Sequence, residues 1–187
     1  MAGGYQYTDQ VDRARANVSK ALRSGGWFVT LRAWDEAAVI AGDATHCPLC
    51  YDPAYGGPRD ERCPACYGTG FTSGFSSGGP TVGIVRDVTA KVERTEYGTV
   101  VEKKSVAHLP WDADVETGDL LVEVPEPGYG GPPGARWLVD DAKQVRLRMH
   151  YLLEKSDYPY NGEVVGWSAD VHRLPDEHPW QAVLVPA

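Results

Sequence analysis

Four cysteines carry the most concentrated chemistry in this 187-residue chain, and all lie between positions 47 and 66. They fall as Cys47-Pro48-Leu49-Cys50, twelve intervening residues, then Cys63-Pro64-Ala65-Cys66-Tyr67-Gly68. Two C-x2-C pairs put four thiolates on two facing turns, the donor set that tetrahedral Zn²⁺ takes in structural sites. Backbone N–H groups of each short turn can point at the sulfurs, and Gly68 supplies the permissive backbone of such a knuckle. Cys47, Cys50, Cys63 and Cys66 are therefore the expected ligands of one zinc ion. Four protein ligands leave no open coordination position, so the expected role is structural rather than catalytic. His46 adjoins Cys47 and is the alternative ligand. Redox C-x-x-C pairs normally open helices beside a thioredoxin-like βαβ unit, a pattern absent from this sequence. A disulfide framework would spread its cysteines along the chain.

Other constellations are missing. The sequence holds no G-x-x-x-x-G-K-[ST], no G-x-S-x-G and no H-E-x-x-H. Gly68-Thr69-Gly70 and Ser77-Gly78-Gly79 lack the lysine or the strand context of a phosphate loop. The histidines His46, His108, His150, His172 and His178 are scattered, and the proximity of His172 and His178 to Asp170, Asp176 and Glu177 does not make a triad. No enzyme activity is expected. Trp27, Trp34, Trp137 and Trp167 fall in strand patterns and are expected in the core. Trp111 and Trp180 follow prolines in loops, and Trp180 is a candidate for a partner interface.

Charge narrows the partners. Residues 1–46 balance five acids with five bases, residues 47–80 sum to −1, and residues 81–187 sum to −7. No segment is basic enough to neutralise a row of phosphates, which argues against a dedicated duplex-binding protein. The composition, 42% apolar and 24% charged, is that of a folded globular chain. No uncharged apolar run approaches the roughly 18 residues of a membrane span. Met1-Ala2-Gly3-Gly4-Tyr5-Gln6-Tyr7 has neither a basic start nor an apolar core, so no secretory signal is expected and folding should occur in a reducing cytoplasm.

The elements that must position the cysteines follow from periodicity. Thr8 suits an N-cap, and Val11, Ala14, Val18, Ala21 and Leu22 recur at helical spacing until Gly25-Gly26 stops the pattern. Trp27 to Trp34 then reads as a strand. A polar, glycine-rich stretch runs from Gly42 to Pro80 and holds the cysteines. Strands follow around Val82, Ile84 and Val88, at Thr99-Val100-Val101 after Tyr97-Gly98, and at Leu120 to Val124. Others are expected at Arg136 to Asp140, along the alternating Val145–Leu153 run, and after the Asn161-Gly162 turn through Val164 to Val171. Pro125 to Gly134 is expected to be an exposed, non-helical loop. No helical pattern is seen after residue 25. The expected fold is mainly β: a small antiparallel β-barrel or sandwich with one N-terminal helix and an inserted zinc-binding loop. The expected organisation is 1–42 for the helix and first strand, 43–80 for the four-cysteine zinc-binding insertion, and 81–187 for the barrel with a C-terminal tail.

The run Cys47 to Pro53, followed by Cys63 to Phe71, resembles the cysteine module in structural proteins of tailed bacteriophages. Thr117-Gly118-Asp119-Leu120-Leu121, Arg136-Trp137-Leu138-Val139-Asp140 and the Val145–Leu153 strand resemble the small β-barrels of head-to-tail connector proteins. The resemblance covers about residues 40–155. It implies a head-closure (stopper) or adaptor subunit of the virion neck, made in the host cytoplasm. Such subunits form a ring with copies of themselves, between portal or adaptor proteins above and tail proteins below, and let DNA pass through the lumen without tight binding. The acidic runs Asp112, Asp114, Glu116, Asp119 and Glu123, Glu126 would then line that lumen. Arg146 and Arg148 would make contacts between subunits. From a different class, a zinc-ribbon module binding nucleic acid or protein also fits the cysteine spacing. A DnaJ-like chaperone fragment matches only Cys63 to Gly70.

Overall fold

The computed structural model describes residues 4–95, 98–127, 129, 131–146 and 163–183. Helix α1 (Gly4–Leu22) leads into strand β1 (Gly26–Ala33) and a short helix α2 (Glu36–Ala41). The cysteine loop follows and contains the two-residue strands β2 (Tyr51–Asp52) and β3 (Gly57–Pro58). Strands β4 (Phe75–Thr95), β5 (Gly98–Pro110), β6 (Leu120–Val124), β7 (Arg136–Arg146) and β8 (Val164–Arg173) complete the main sheet. A 3₁₀ turn, Pro179–Ala182, follows β8.

The sheet closes on itself as an antiparallel six-stranded barrel in the order β1-β4-β5-β8-β7-β6. Closure comes from β1, which pairs with β4 on one side (Trp27↔Val82) and with β6 on the other (Val29↔Val122). A closed sheet has no free edge along its paired region. The fold is therefore the mainly-β barrel with an N-terminal helix and a cysteine loop that the patterning implied.

Alternation along the strands makes two cores. Phe28, Leu121, Val139, Ala107, Leu109, Ala169 and Val171 fill the barrel interior. Small residues suit so narrow a barrel: a Cβ on Gly83 would lie 2.7 Å from Leu109 Cδ2. The opposite faces of β1, β6 and β7 carry Val29, Leu31, Leu120, Val122 and Leu138, which pack with Phe75, Tyr67, Leu174 and Trp180 outside the barrel. Leu120, Leu121 and Val122 are consequently all buried. A strand covered on both faces reads as a continuous apolar run, as this one does.

Helix α1 lies across β4, β5 and β8. Arg15 ties it down: Nε donates to the Val164 carbonyl at 2.9 Å, and the guanidinium sits 4.1 Å from the Trp111 ring centroid. The helix starts at Gly4, ahead of the Thr8 cap that the sequence suggests.

Several elements depart from the sequence reading. Helix α2 is a second helix, capped by Asp35, which accepts from the Ala38 N–H at 2.9 Å, and closed by left-handed Gly42. Six residues are too short to show a helical period, so the sequence gives no sign of it. Strand β4 begins at Phe75 rather than near Thr81. Between the Val29↔Pro80 and Leu31↔Ser77 rungs, Gly78-Gly79 oppose the single residue Thr30. That bulge gives a strand the composition of a loop and accommodates Pro80. Arg136–Arg146 is a single strand, with register shifts after Val139 and after Val145. The remainder of the alternating run, residues 147–153, and the Asn161-Gly162 turn lie outside the described residues. Beyond Val88↔Lys104 the β4–β5 pairing continues to Thr95↔Gly98 with no third strand among the described residues, forming a two-stranded ribbon.

Candidate metal centre

The cysteine loop is pinned at its base before any metal is considered. His46 and Phe71 form an isolated antiparallel bridge, the Cys47 N–H donates to the Gly70 carbonyl at 2.7 Å, and the Thr72 N–H donates to the Thr45 carbonyl at 2.8 Å. Each C-x2-C turn then folds back on its first cysteine. The Tyr51 N–H reaches the Cys47 carbonyl at 3.1 Å, and the Tyr67 N–H reaches the Cys63 carbonyl at 2.7 Å. Between the turns, the β2–β3 hairpin is held by buried Asp52, which accepts from the Ala54 N–H at 2.9 Å and pairs with Arg59. The Ala54 N–H and the Arg59 guanidinium hold the Asp52 carboxyl below the ordinary carboxylate range.

These constraints converge the four sulfurs. Cys47, Cys50, Cys63 and Cys66 are all buried, and their Sγ atoms lie within 4.8 Å of one another. The Cys47–Cys63 Sγ pair is 3.8 Å apart and the Cys50–Cys66 pair 3.2 Å. Zn–S bonds of about 2.3 Å in a tetrahedron place sulfurs roughly 3.8 Å apart, so the cage has the size for zinc. All four cysteines are free thiols.

The electrostatics divide the thiols. Burial first, then hydrogen bonds from the other three thiols, push the Cys50 thiol up; burial also pushes Cys66 up. Cys63 goes the other way, to about 7: burial opposes ionisation, but N–H donors from Ala65 and Cys66 and the neighbouring thiols outweigh it. N–H groups of Gly68 and Gly70 likewise favour the Cys66 thiolate. Four buried thiolates repel one another, and a bound dication is what lets all of them ionise together. The residues fit a structural metal ion, with the cysteines as ligands and the knuckle amides as their supports.

His46 is not part of the cage. Its ring stacks on Tyr51 with centroids 3.7 Å apart, and Nε2 lies 3.0 Å from Glu36 Oε2. The alternative ligand set containing His46 is thereby displaced by the four-cysteine set.

Other candidates from the sequence separate. His172 pairs with Asp140 at 2.9 Å, and His178 Nδ1 accepts from the Trp180 N–H at 3.2 Å, so the two serve local structure. His150 lies outside the described residues. Of the acidic runs, Asp112, Asp114, Glu116, Glu123 and Glu126 are exposed, but Asp119 is buried and engaged by Arg32. Asp119 is therefore removed from the set of surface acids. Trp180, read as a partner-facing residue, is half-buried and bound to this chain's own Tyr67 and Phe75. Trp27, Trp34, Trp137 and Trp167 are half-buried in or beside the strands, and Trp137 and Trp167 pack on the barrel core. Sequence reasoning missed Arg136, a buried arginine whose Nη1 donates to the Trp180 carbonyl at 2.6 Å. A lone arginine at a strand start gives no signal of burial.

No protein-family model matches the chain, and no curated protein matches it. What the geometry assigns is a small closed β-barrel carrying a four-cysteine cluster able to chelate a metal ion. No helix among the described residues is long and apolar enough to cross a membrane.

Proposed function

We propose that this protein is a non-catalytic, zinc-stabilised binding module whose cysteine loop presents a rigid surface to another protein. One observation carries the reading. The metal cage is closed and buried, yet the loop it holds exposes Leu49 at 72% and Tyr55 at 84%. Apolar side chains carried on a pinned backbone bind proteins at a lower entropic cost than those on a mobile loop. Arg59 on the same loop is paired with Asp52, and Arg62 stands next to Asp60 and Glu61, so the loop offers phosphate no basic stripe. A protein partner is favoured over nucleic acid on that ground.

The more specific form of this reading is a ring subunit of a bacteriophage neck, acting between portal and tail. Support comes from the two barrel motifs that carry the resemblance. The Gly118-Asp119-Leu120-Leu121 turn and the Arg136-Trp137-Leu138-Val139 strand are direct partners, with Leu120 opposite Leu138 and the Val139 N–H donating to the Asp119 carbonyl at 2.9 Å. The exposed carboxylates Asp112, Asp114 and Glu116 would then repel passing DNA. Light scattering after size exclusion tests both levels, using the protein alone and mixed with a portal ring. A complex with the ring supports the neck subunit. Sub-micromolar, salt-sensitive duplex binding by the isolated chain, with no ring complex, overturns it in favour of a nucleic-acid-binding zinc ribbon.

A further inference from the structure

The C-terminal segment from Leu174 to Val183 crosses the outer face of the barrel and ends its crossing on the second cysteine knuckle. Trp180 makes the junction. Its Nε1 donates to the Tyr67 carbonyl at 3.0 Å, across 113 positions of sequence, and its ring meets Phe75 edge-on at 5.2 Å. The Trp180 carbonyl in turn accepts from buried Arg136 at 2.6 Å. Gln181 Nε2 returns to the Leu174 carbonyl at 2.9 Å, and the Leu174 N–H is fixed to the Arg136 carbonyl at 2.9 Å.

The acceptor of this latch sits in an unusual backbone. Tyr67 has φ +54, one of two non-glycine residues with positive φ among those described. A tyrosine holds that conformation only where its surroundings over-determine it. Here they are the cage: Tyr67 follows Cys66, its N–H bonds the Cys63 carbonyl, and the next N–H, of Gly68, points at the Cys66 sulfur. The direction of the Tyr67 carbonyl therefore depends on the Cys63–Cys66 turn staying wound.

We propose that the C-terminal strap is a latch that closes only over the metal-held form of the second knuckle, so that metal occupancy controls whether the outer face of β6 and β7 is covered. This rests on the four-cysteine metal reading above. Without the ion nothing draws the Cys63 and Cys66 sulfurs toward those of Cys47 and Cys50, and the turn loosens. Tyr67 relaxes toward negative φ, its carbonyl turns from the indole, and Trp180 leaves its seat. Arg136 then loses its Trp180 acceptor while still buried, which disfavours any half-open state. The open strap uncovers Leu120, Val122 and Leu138.

Amide hydrogen exchange on the full chain tests the latch, with zinc content measured in parallel. The N–H groups of His178, Gln181 and Val183 bond only within the strap, to the carbonyls of Pro175, His178 and Trp180, and so report its folding. Stripping the metal with a chelator under reducing conditions is expected to speed their exchange at least about tenfold while Val139 in the barrel keeps its protection. Trp180→Phe, which keeps the aromatic body and removes the N–H donor, is expected to show the fast strap with zinc still bound. Strap protection unchanged after zinc has left overturns the latch and leaves the metal reading standing. Loss of barrel and strap protection together overturns it too, since the effect is then global. Protein that carries no zinc as purified overturns both.

Discussion

Arg32 and Asp119 meet as a two-point ion pair, Nε to Oδ1 and Nη2 to Oδ2, both at 3.0 Å. Asp119 is buried and also accepts from the Glu116 N–H at 2.7 Å, while Arg32 fans out to Asp114 at 3.3 Å and Glu116 at 3.6 Å. The hydrogen bond to Asp119 comes first among the causes that hold the Arg32 pKa above its ordinary value. One guanidinium thus fastens the loop after β5 to β1, at the seam where the barrel closes.

Removing either partner of this pair should be costly. Arg32→Met leaves the Asp119 carboxylate buried without its cation, and an expected loss of about 2–3 kcal/mol follows, below the fully buried limit because Arg32 is partly exposed. Urea unfolding followed by tryptophan fluorescence checks it. A midpoint unchanged from the parent protein would remove this pair from the account of barrel closure.

The metal cluster should hold one zinc per chain, bound by Cys47, Cys50, Cys63 and Cys66. Cys63→Ala is expected to abolish binding and loosen the cysteine loop while the barrel strands keep their fold, because the barrel interior is packed without the loop. Elemental analysis gives the stoichiometry, and far-ultraviolet circular dichroism shows whether the sheet survives.

Gly68 supports the second knuckle without touching metal. Its φ is +82, and a Cβ there would stand 2.4 Å from the Glu61 carbonyl oxygen. Gly68→Ala is expected to weaken zinc binding about 10- to 100-fold, the equivalent of the strain such a residue stores. Competition with a chromophoric chelator measures it. Gly79→Ala, where nothing lies within 4 Å of the added carbon, is the matched control and should bind zinc as the parent does.

The β6–β7 loop should be dispensable for folding. Tyr129 is exposed, as are the described flanking residues from Gly131 to Gly134, and the loop closes through the Gly134 N–H on the Glu123 carbonyl at 2.7 Å. Shortening residues 126–133 to an Asn-Gly turn is expected to change stability by less than about 1 kcal/mol. Assembly of the shortened protein with a portal ring separates a passive connection from a contact surface: loss of the complex without loss of stability marks the loop as part of the interface.

Local chemistry was legible in the linear chain, and long-range pairing was not. Cysteine spacing pointed to a metal-binding cluster because each C-x2-C turn closes on itself within four residues, while the approach of the two turns rests on the bonds at the base of the loop and on the β2–β3 hairpin. Short apolar runs at Trp27–Leu31 and Leu120–Val124, with β-branched and aromatic residues and turn signals at their ends, determined a mainly-β fold because such side chains pack well on a pleated surface. The short helix α2 and the Gly78-Gly79 bulge escaped, the first for lack of length and the second because its glycines read as loop. Tertiary structure alone decided that β1 closes the barrel on β6, that Asp119 is a buried partner of Arg32 rather than a surface acid, and that Trp180 turns inward to Tyr67. Each of these joins residues from about 90 to more than 110 positions apart. Spacing along the chain says nothing about such pairs. They exist only once burial of the two faces of β1 and β6 has brought the segments together.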